Sequence, residues 1–417
     1  MFRLSRKPKK HHFQHPAVDP SNLPSSAALL PELTAAILQH VLQDPTDLKT
    51  SISNQIGLHT ALQVCRTWYN CSISLLYAQP ILGPGVERTF LRTIKKDSNL
   101  AKLVRTLVIQ APFFAAGSGF FLTQLPAFDQ NVHSRWQADV ISLFDLCPYL
   151  TSLALRPVHP DWHNRLRCEI HPSHLQNLRR LSLHGYTASS LFFGSDFFFP
   201  NLEELSLERL VETGPIIWPS CPSLRRLSLT NCHFPGGTLL PTTSQHIQQV
   251  ELWGFSSDDA DIRSALNMHE STLESLRMDC FRLVESVRGI DFARFIQLKH
   301  FTIIGVSDAT ASHSLLRTLS TIPQLEELVY GCVIADIQVI SSLLRQDQLG
   351  NLFPQLRLLA LPRLSQEESH GIQLMYEELE TLCRTRNIKV EVNNNAAPSP
   401  NSAWVREFGL RGILRRH

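Results

Sequence analysis

The run Leu178-Arg179-Arg180-Leu181-Ser182-Leu183 returns 24 residues later as Leu202-Glu203-Glu204-Leu205-Ser206-Leu207. It returns again 22 residues further on as Leu224-Arg225-Arg226-Leu227-Ser228-Leu229. Inside each copy leucines alternate with polar residues, the period of a strand with one buried face. Looser copies begin at Leu150, Ile247, Leu273, Leu298, Leu325 and Leu356, so successive starts lie 28, 24, 22, 23, 26, 25, 27 and 31 residues apart. A tandem period of that size is one strand plus one return segment per unit. Parallel strands require such a return, which is often a helix. Helical returns are predicted over 260–270, 311–321, 334–345 and 366–386, the last opened by a Ser365/Glu368 capping box. Val104-Leu107-Ile109 and Ile388-Val390-Val392 extend the sheet at its two ends. The fold class is therefore α/β: a parallel sheet on the concave face of a solenoid, with helices and loops on the convex face.

This period is that of leucine-rich repeats. In many of them the residue eight after the first leucine is an asparagine that bonds the turning backbone. Here those positions hold Val158, Tyr186, Leu210, Cys232, Phe255, Phe281, Val306, Val333 and Leu364. The turns are expected to be packed by side chains, without an asparagine ladder.

The flanking regions divide the chain. Residues 1–25 read as a disordered basic tail, 26–80 as a helical head, 81–103 as a helical linker, 104–393 as the solenoid and 394–417 as a second tail. Hydrophobic residues make up 43% of the 417 and charged residues 18%, enough apolar material for a sizeable core. A net charge of +2 gives no general reason to expect nucleic-acid binding, although Arg3, Arg6, Lys7, Lys9 and Lys10, and Arg406, Arg411, Arg415 and Arg416, bias the ends. Nine cysteines without a Cys-x-x-Cys pair read as free thiols in a reducing compartment, hence the cytoplasm or nucleus. No secretory signal is evident. The stretch between Arg105 and Asp129 is uncharged, but Pro112, Gly117, Gly119 and Pro126 argue against a membrane helix.

In the head, Leu33, Ile37 and Val41 share one helical face, and Pro31 suits its first turn. Leu58, Leu62, Cys65, Trp68 or Tyr69, Ser72 and Leu76 make a second face, with Asp44 to Gly57 as the connection. These residues carry a resemblance. Leu29-Leu30-Pro31-Glu32-Leu33 is similar to the opening of the F-box, and Val64-Cys65-Arg66-Thr67-Trp68 to its later Val-Cys-Arg-x-Trp element. Leu75-Leu76-Tyr77, Phe90-Leu91-Arg92-Thr93 and Leu103-Val104-Arg105-Thr106-Leu107 resemble the bridge into the repeats of F-box proteins. The connection is about ten residues longer than the family pattern. The resemblance implies a non-catalytic substrate receptor of an SCF-type cullin-RING ubiquitin ligase. Leu29, Pro31, Leu33, Ile37, Val41, Leu62, Cys65 and Trp68 would then bind a Skp-family adaptor, and through it cullin and RING subunits.

No catalytic or cofactor motif occurs: Gly-x-Ser-x-Gly, His-Glu-x-x-His and a Walker-type loop are all missing. Gly117-Ser118-Gly119 lacks a third glycine. His11, His12 and His15 belong to a solvated tail. His159, Asp161, His163, Cys168, His171 and His174 match no common zinc spacing, so no metal is expected. Binding falls to the outward strand positions, where Arg180, His184, Glu204, Glu208, Arg226, Thr230, Glu251, Trp253 and Arg277 are the expected contacts to a protein substrate; Arg156, Asp279 and His300 share that face. Outward residues then turn apolar at Ile304, Val329, Leu358 and Ala360. Two other readings compete: a repeat scaffold with no ligase association, and a nucleic-acid binder working through the basic tails.

Overall fold

The computed structural model describes residues 31–41, 48–83, 86–110, 138–139, 142–158, 176–185, 198–210, 218–234, 239–254, 259–279, 290–304, 309–331, 334–347, 352–362 and 370–393. Three helices come first: α1 (Pro31–Val41), α2 (Leu48–Ala61) and α3 (Arg66–Ala78). The strand β1 (Ile81–Leu82) and helices α4 (Val86–Lys96) and α5 (Ser98–Ala101) follow. The sheet then runs through β2 (Thr106–Gln110), β3 (Ser152–Val158), β4 (Arg180–Gly185), β5 (Glu204–Glu208), β6 (Arg226–Thr230), β7 (Gln249–Trp253), β8 (Ser275–Asp279), β9 (His300–Ile304), β10 (Glu327–Gly331), β11 (Leu358–Pro362) and β12 (Lys389–Asn393). Between the later strands lie α6 (Asp259–Asn267), α7 (Ala309–Leu319), α8 (Ile334–Gln346) and α9 (His370–Thr385).

All twelve strands form one sheet in sequence order, and each recorded pairing is parallel. This is a leucine-rich-repeat solenoid. One hydrogen-bond device repeats along it. The N–H groups of Glu203 and Glu204 both donate to the Arg179 carbonyl, those of Arg225 and Arg226 to Glu203, and those of Gln248 and Gln249 to Arg225. The same pattern continues through Glu274, Lys299 and Glu326. Each unit is thus a near-translation of its neighbour, which places the same motif position of every strand in one row.

The leucines do what their alternation predicts. Leu181, Leu183, Leu205, Leu207, Leu227, Leu229, Val250, Leu252, Leu276 and Met278 are at most 3% exposed. Burying one such side chain stabilises the fold by roughly 2 kcal/mol. Phe292, Phe295 and Phe301 fill the core below β9, with ring centroids 5.7 and 5.2 Å apart. The turns after β5 and β6 combine packing with main-chain bonding. Leu210 and Cys232 are buried, and the Cys232 thiol donates to the Leu207 carbonyl at 3.4 Å. Burial pushes that thiol up to about 12. One residue earlier, Arg209, Asn231 and Gly254 all take left-handed φ values of 55, 53 and 57°. Their N–H groups donate to Thr230 O, Trp253 O and the Asp279 carboxylate. At Gly254 a Cβ would stand 2.2 Å from Asn231 Oδ1, so a side chain there requires the Asn231 amide to move as well as a left-handed φ.

Several expectations change. The linker over 81–103 opens with a strand, so the sheet begins at β1 and not at β2. The connection from Asp44 to Gly57 is largely the helix α2; its apolar residues show little periodicity, and it is held by packing on α3. The second helical face is divided between α2 and α3, because Cys65 stands in extended backbone as the N-cap of α3. Helix α9 is described from His370, so the Ser365/Glu368 capping box lies outside the described residues, as do the uncharged stretch over 111–128 and the His159–His174 cluster. Among the described residues, no helix is long and apolar enough to cross a membrane.

At one core position of the repeat a histidine stands in for the apolar residues and thiols of its neighbours. The residues that end the return and accept the first N–H of each motif are Cys147, Phe199, Cys221, Phe295 and Phe353, all buried. In the β8 unit this place is taken by His269, which is 2% exposed with neither ring nitrogen hydrogen-bonded. Burial lowers its pKa. An unfolded histidine titrates near ~6.5. Below that pH the unfolded chain binds the proton first, so stability falls as pH drops from ~6.5 toward the depressed folded value and levels off beneath it. His269→Leu should remove that slope. Melting temperatures at about pH 7.5 and about 5.5 check it: the wild type loses more than the variant on acidification.

Candidate functional site

Two surfaces present the residues singled out by the sequence. The first is the sheet face opposite the return helices. Register aligns Arg180, Glu204, Arg226 and Gln249 in one row, Ser182, Ser206, Ser228, Glu251 and Arg277 in the next, and His184, Glu208, Thr230 and Trp253 in the third. The charges pair with one another. Glu204 lies 3.4 Å from Arg180 and 3.0 Å from Arg226, and Glu251 lies 3.0 Å from Arg277 and accepts from the Ser228 hydroxyl. Arg180, Arg226 and Arg277 are exposed, so these bridges contribute at most about 1 kcal/mol each and are readily exchanged for a partner's groups. In the third row Glu208 is nearly buried, 3.7 Å from His184 and 3.8 Å from Arg209. Trp253 is half-buried beside Thr230.

All nine expected contact residues therefore share one face over β4–β8. The middle row of serines was not among them. Its signal is the Leu-Ser-Leu written three times, which sets three half-buried hydroxyls side by side as the floor between a charged wall and a mixed one. Chemically the face offers hydroxyls, paired charges and one indole, which suits the capture of a polar protein segment. Among the described residues, no group of three or more His, Cys, Asp or Glu is placed to hold a metal ion. Cys147 and Cys221 are core thiols that burial pushes up to about 12. Further along, Ile304 and Ala360 are buried and Val329 and Leu358 half-buried, so the face closes to solvent where it turns apolar.

The second surface is the helical head. Its small core is Leu38, Leu58 and Ala61, with Trp68, Cys71, Leu75 and Leu76 packed against it. Thr34 and Ser72 are buried and small, letting α1 approach α3 closely. Outside this core the head stays apolar. Leu33 is 49% exposed, Ile56 63%, Val64 60% and Tyr69 46%, and Pro31 and Cys65 are exposed as well. Ile37, Leu62 and Trp68 are half-buried. Leu29 lies outside the described residues, and of Val41 only its place in α1 is described. Ile56, Val64 and Tyr69 extend the expected set; Ile56 was hidden in a stretch read as connection. The head also abuts the sheet: Tyr77 stacks on Phe90 at 5.6 Å, and Ala78 O and Pro80 O accept from Arg105 and Val108.

No family model matches the chain, and no curated protein matches it. Among solved structures, a leucine-rich-repeat protein of Leptospira interrogans aligns over 71% of this chain and 91% of its own, at 13% identity and a TM-score of 0.23. The fold assignment accordingly rests on the twelve-strand register itself.

Proposed function

We propose that the chain is the substrate-recognition subunit of an SCF-type ubiquitin ligase, binding a Skp-family adaptor through its head and a protein substrate through the outward face of β4–β8. The observation that carries this reading is the head's surface. Among the described residues, the three helices bury Leu38, Leu58 and Ala61 between them and leave Leu33, Ile56, Val64 and Tyr69 open to solvent around the Val64-Cys65-Arg66-Thr67-Trp68 element. Apolar side chains in such number on so small a body suit burial by a partner. The receptor would do no chemistry; it would hold a substrate near a charged ubiquitin carrier and raise its local concentration. Cullin and RING subunits would follow through the adaptor, in the cytoplasm or nucleus.

Leu33→Asp combined with Tyr69→Ala tests it, since both side chains lie outside the head's core. Copurification of the adaptor should fall by roughly 30-fold or more, the effect of losing an interface hot spot, with the melting temperature unchanged. Undiminished copurification would leave the second reading, a repeat scaffold without ligase association. That reading has its own support: α3 is bonded to the start of the sheet through Ala78 and Pro80, as an end cap would be.

A further inference from the structure

The two ends of the sheet differ. At its start β1 is two residues long and adjoins α2 and α4. At its finish β12 is a five-residue strand that, among the described residues, pairs with β11 alone. Core-phase residues of the interior strands are nearly inaccessible, as at Leu325, Leu328 and Tyr330, all 0% exposed. On β12 the same phase reads Ile388 at 6%, Val390 half-buried and Val392 at 48%. Helix α9 packs on α8 and reaches β12, yet leaves this margin uncovered. The Lys389 N–H is bonded to the Arg357 carbonyl, so by alternation the Val390 and Val392 N–H groups point away from the sheet. An open strand edge with apolar residues beside it is a template for another strand.

We propose that the edge of β12 is covered by this chain's own segment 404–414, which adds to it as a further strand and closes the solenoid. The segment holds Trp404, Val405, Phe408, Leu410, Ile413 and Leu414, far more apolar than the basic N-terminal tail. It is joined to Asn393 by ten residues, 394–403, rich in Asn, Ala, Pro and Ser. Ten residues span up to about 33 Å, enough to return along a strand of about 17 Å in either direction. Alternation puts Trp404, Phe408, Leu410 and Leu414, with Arg406 and Gly412, on the side that continues the Val390 and Val392 row, and Val405, Glu407, Arg411 and Ile413 on the side of Glu391. A second copy fits less well: antiparallel self-pairing centred on β12 would set two Glu391 carboxylates directly opposite each other.

Hydrogen exchange of the peptide covering 388–393 tests the proposal in three proteins: the full chain, a chain ending at Asn395, and the full chain carrying Leu410→Asp and Leu414→Asp. The expected result is exchange at least ~10-fold slower in the unaltered full chain than in the other two. A fluorescein-labelled peptide of residues 400–417 should bind the shortened chain saturably, and a scrambled peptide should not. If the shortened chain fails to fold, the double variant alone still decides. Equal exchange in the full chain and the double variant overturns the proposal. So does a shortened chain that runs as a dimer with 388–393 protected, which would make a second copy the occupant.

Discussion

Arg386→Ala should destabilise the last two repeats by about 3–5 kcal/mol, the usual result of stripping one partner from a buried ion pair. The Asp347 side chain is 4% exposed and sits 2.7 Å from the Arg386 guanidinium. The same guanidinium donates to the carbonyls of Leu344, at 2.7 Å, and of Asp347, and so caps the C-terminal end of α8. Asp347 in turn accepts from the Leu352 N–H at 2.9 Å, which fixes the path into β11. One arginine on the turn after α9 thus ties three segments together. Arg384→Ala, which breaks only the exposed pair with Glu380 on α9, should change stability by no more than about 0.5 kcal/mol. Denaturant unfolding of both variants, followed by exchange in 334–393, checks the contrast. Equal effects would mean that Asp347 tolerates the loss of its cation.

The second large effect is on binding. Arg226→Ala with Trp253→Ala should weaken capture of a protein substrate by roughly 100-fold or more, because arginine and tryptophan dominate interface hot spots. Arg226 is exposed at the end of the Glu204 bridge, and Trp253 closes the third row. Neither change opens the leucine core, so melting temperature should hold, as should binding of the proposed adaptor. Candidate substrates would come from proximity labelling with the proteasome inhibited, and their affinity for the two proteins would then be compared directly. Normal binding by the double variant moves the site to the loops at the rim of the sheet.

Legibility followed the strength of the repeat. Each of the nine Leu-x-x-Leu-x-Leu copies became a strand, and the returns over 260–270, 311–321 and 334–345 became α6, α7 and α8 within a few residues. Such a pattern is legible because one row of leucines decides both secondary structure and burial. Where burial is shared with a neighbour, the pattern fades. Strand β1 is only Ile81-Leu82, recruited by β2. Helix α2 carries Ser51, Asn54 and Gly57, and among its described side chains Leu58 and Ala61 enter the head's core. The sequence also placed the charges on the outward face without revealing that they satisfy each other. That follows from register, which sets Arg180, Glu204 and Arg226 side by side.

That row of alternating charge has a consequence for how the molecule can change its length. Repeat arrays grow and shrink by whole units, and a leucine core alone would accept any number of them. Here the rungs carry sign. Excising the single unit 202–223 would bring Arg180 against Arg226 and, one position earlier, Arg179 against Arg225, two like-charge contacts where salt bridges had been. Duplicating that unit would set Glu204 against its own copy. Parity, and not only period, is therefore written into β4–β6, and it favours repeat gain or loss in pairs there over single steps.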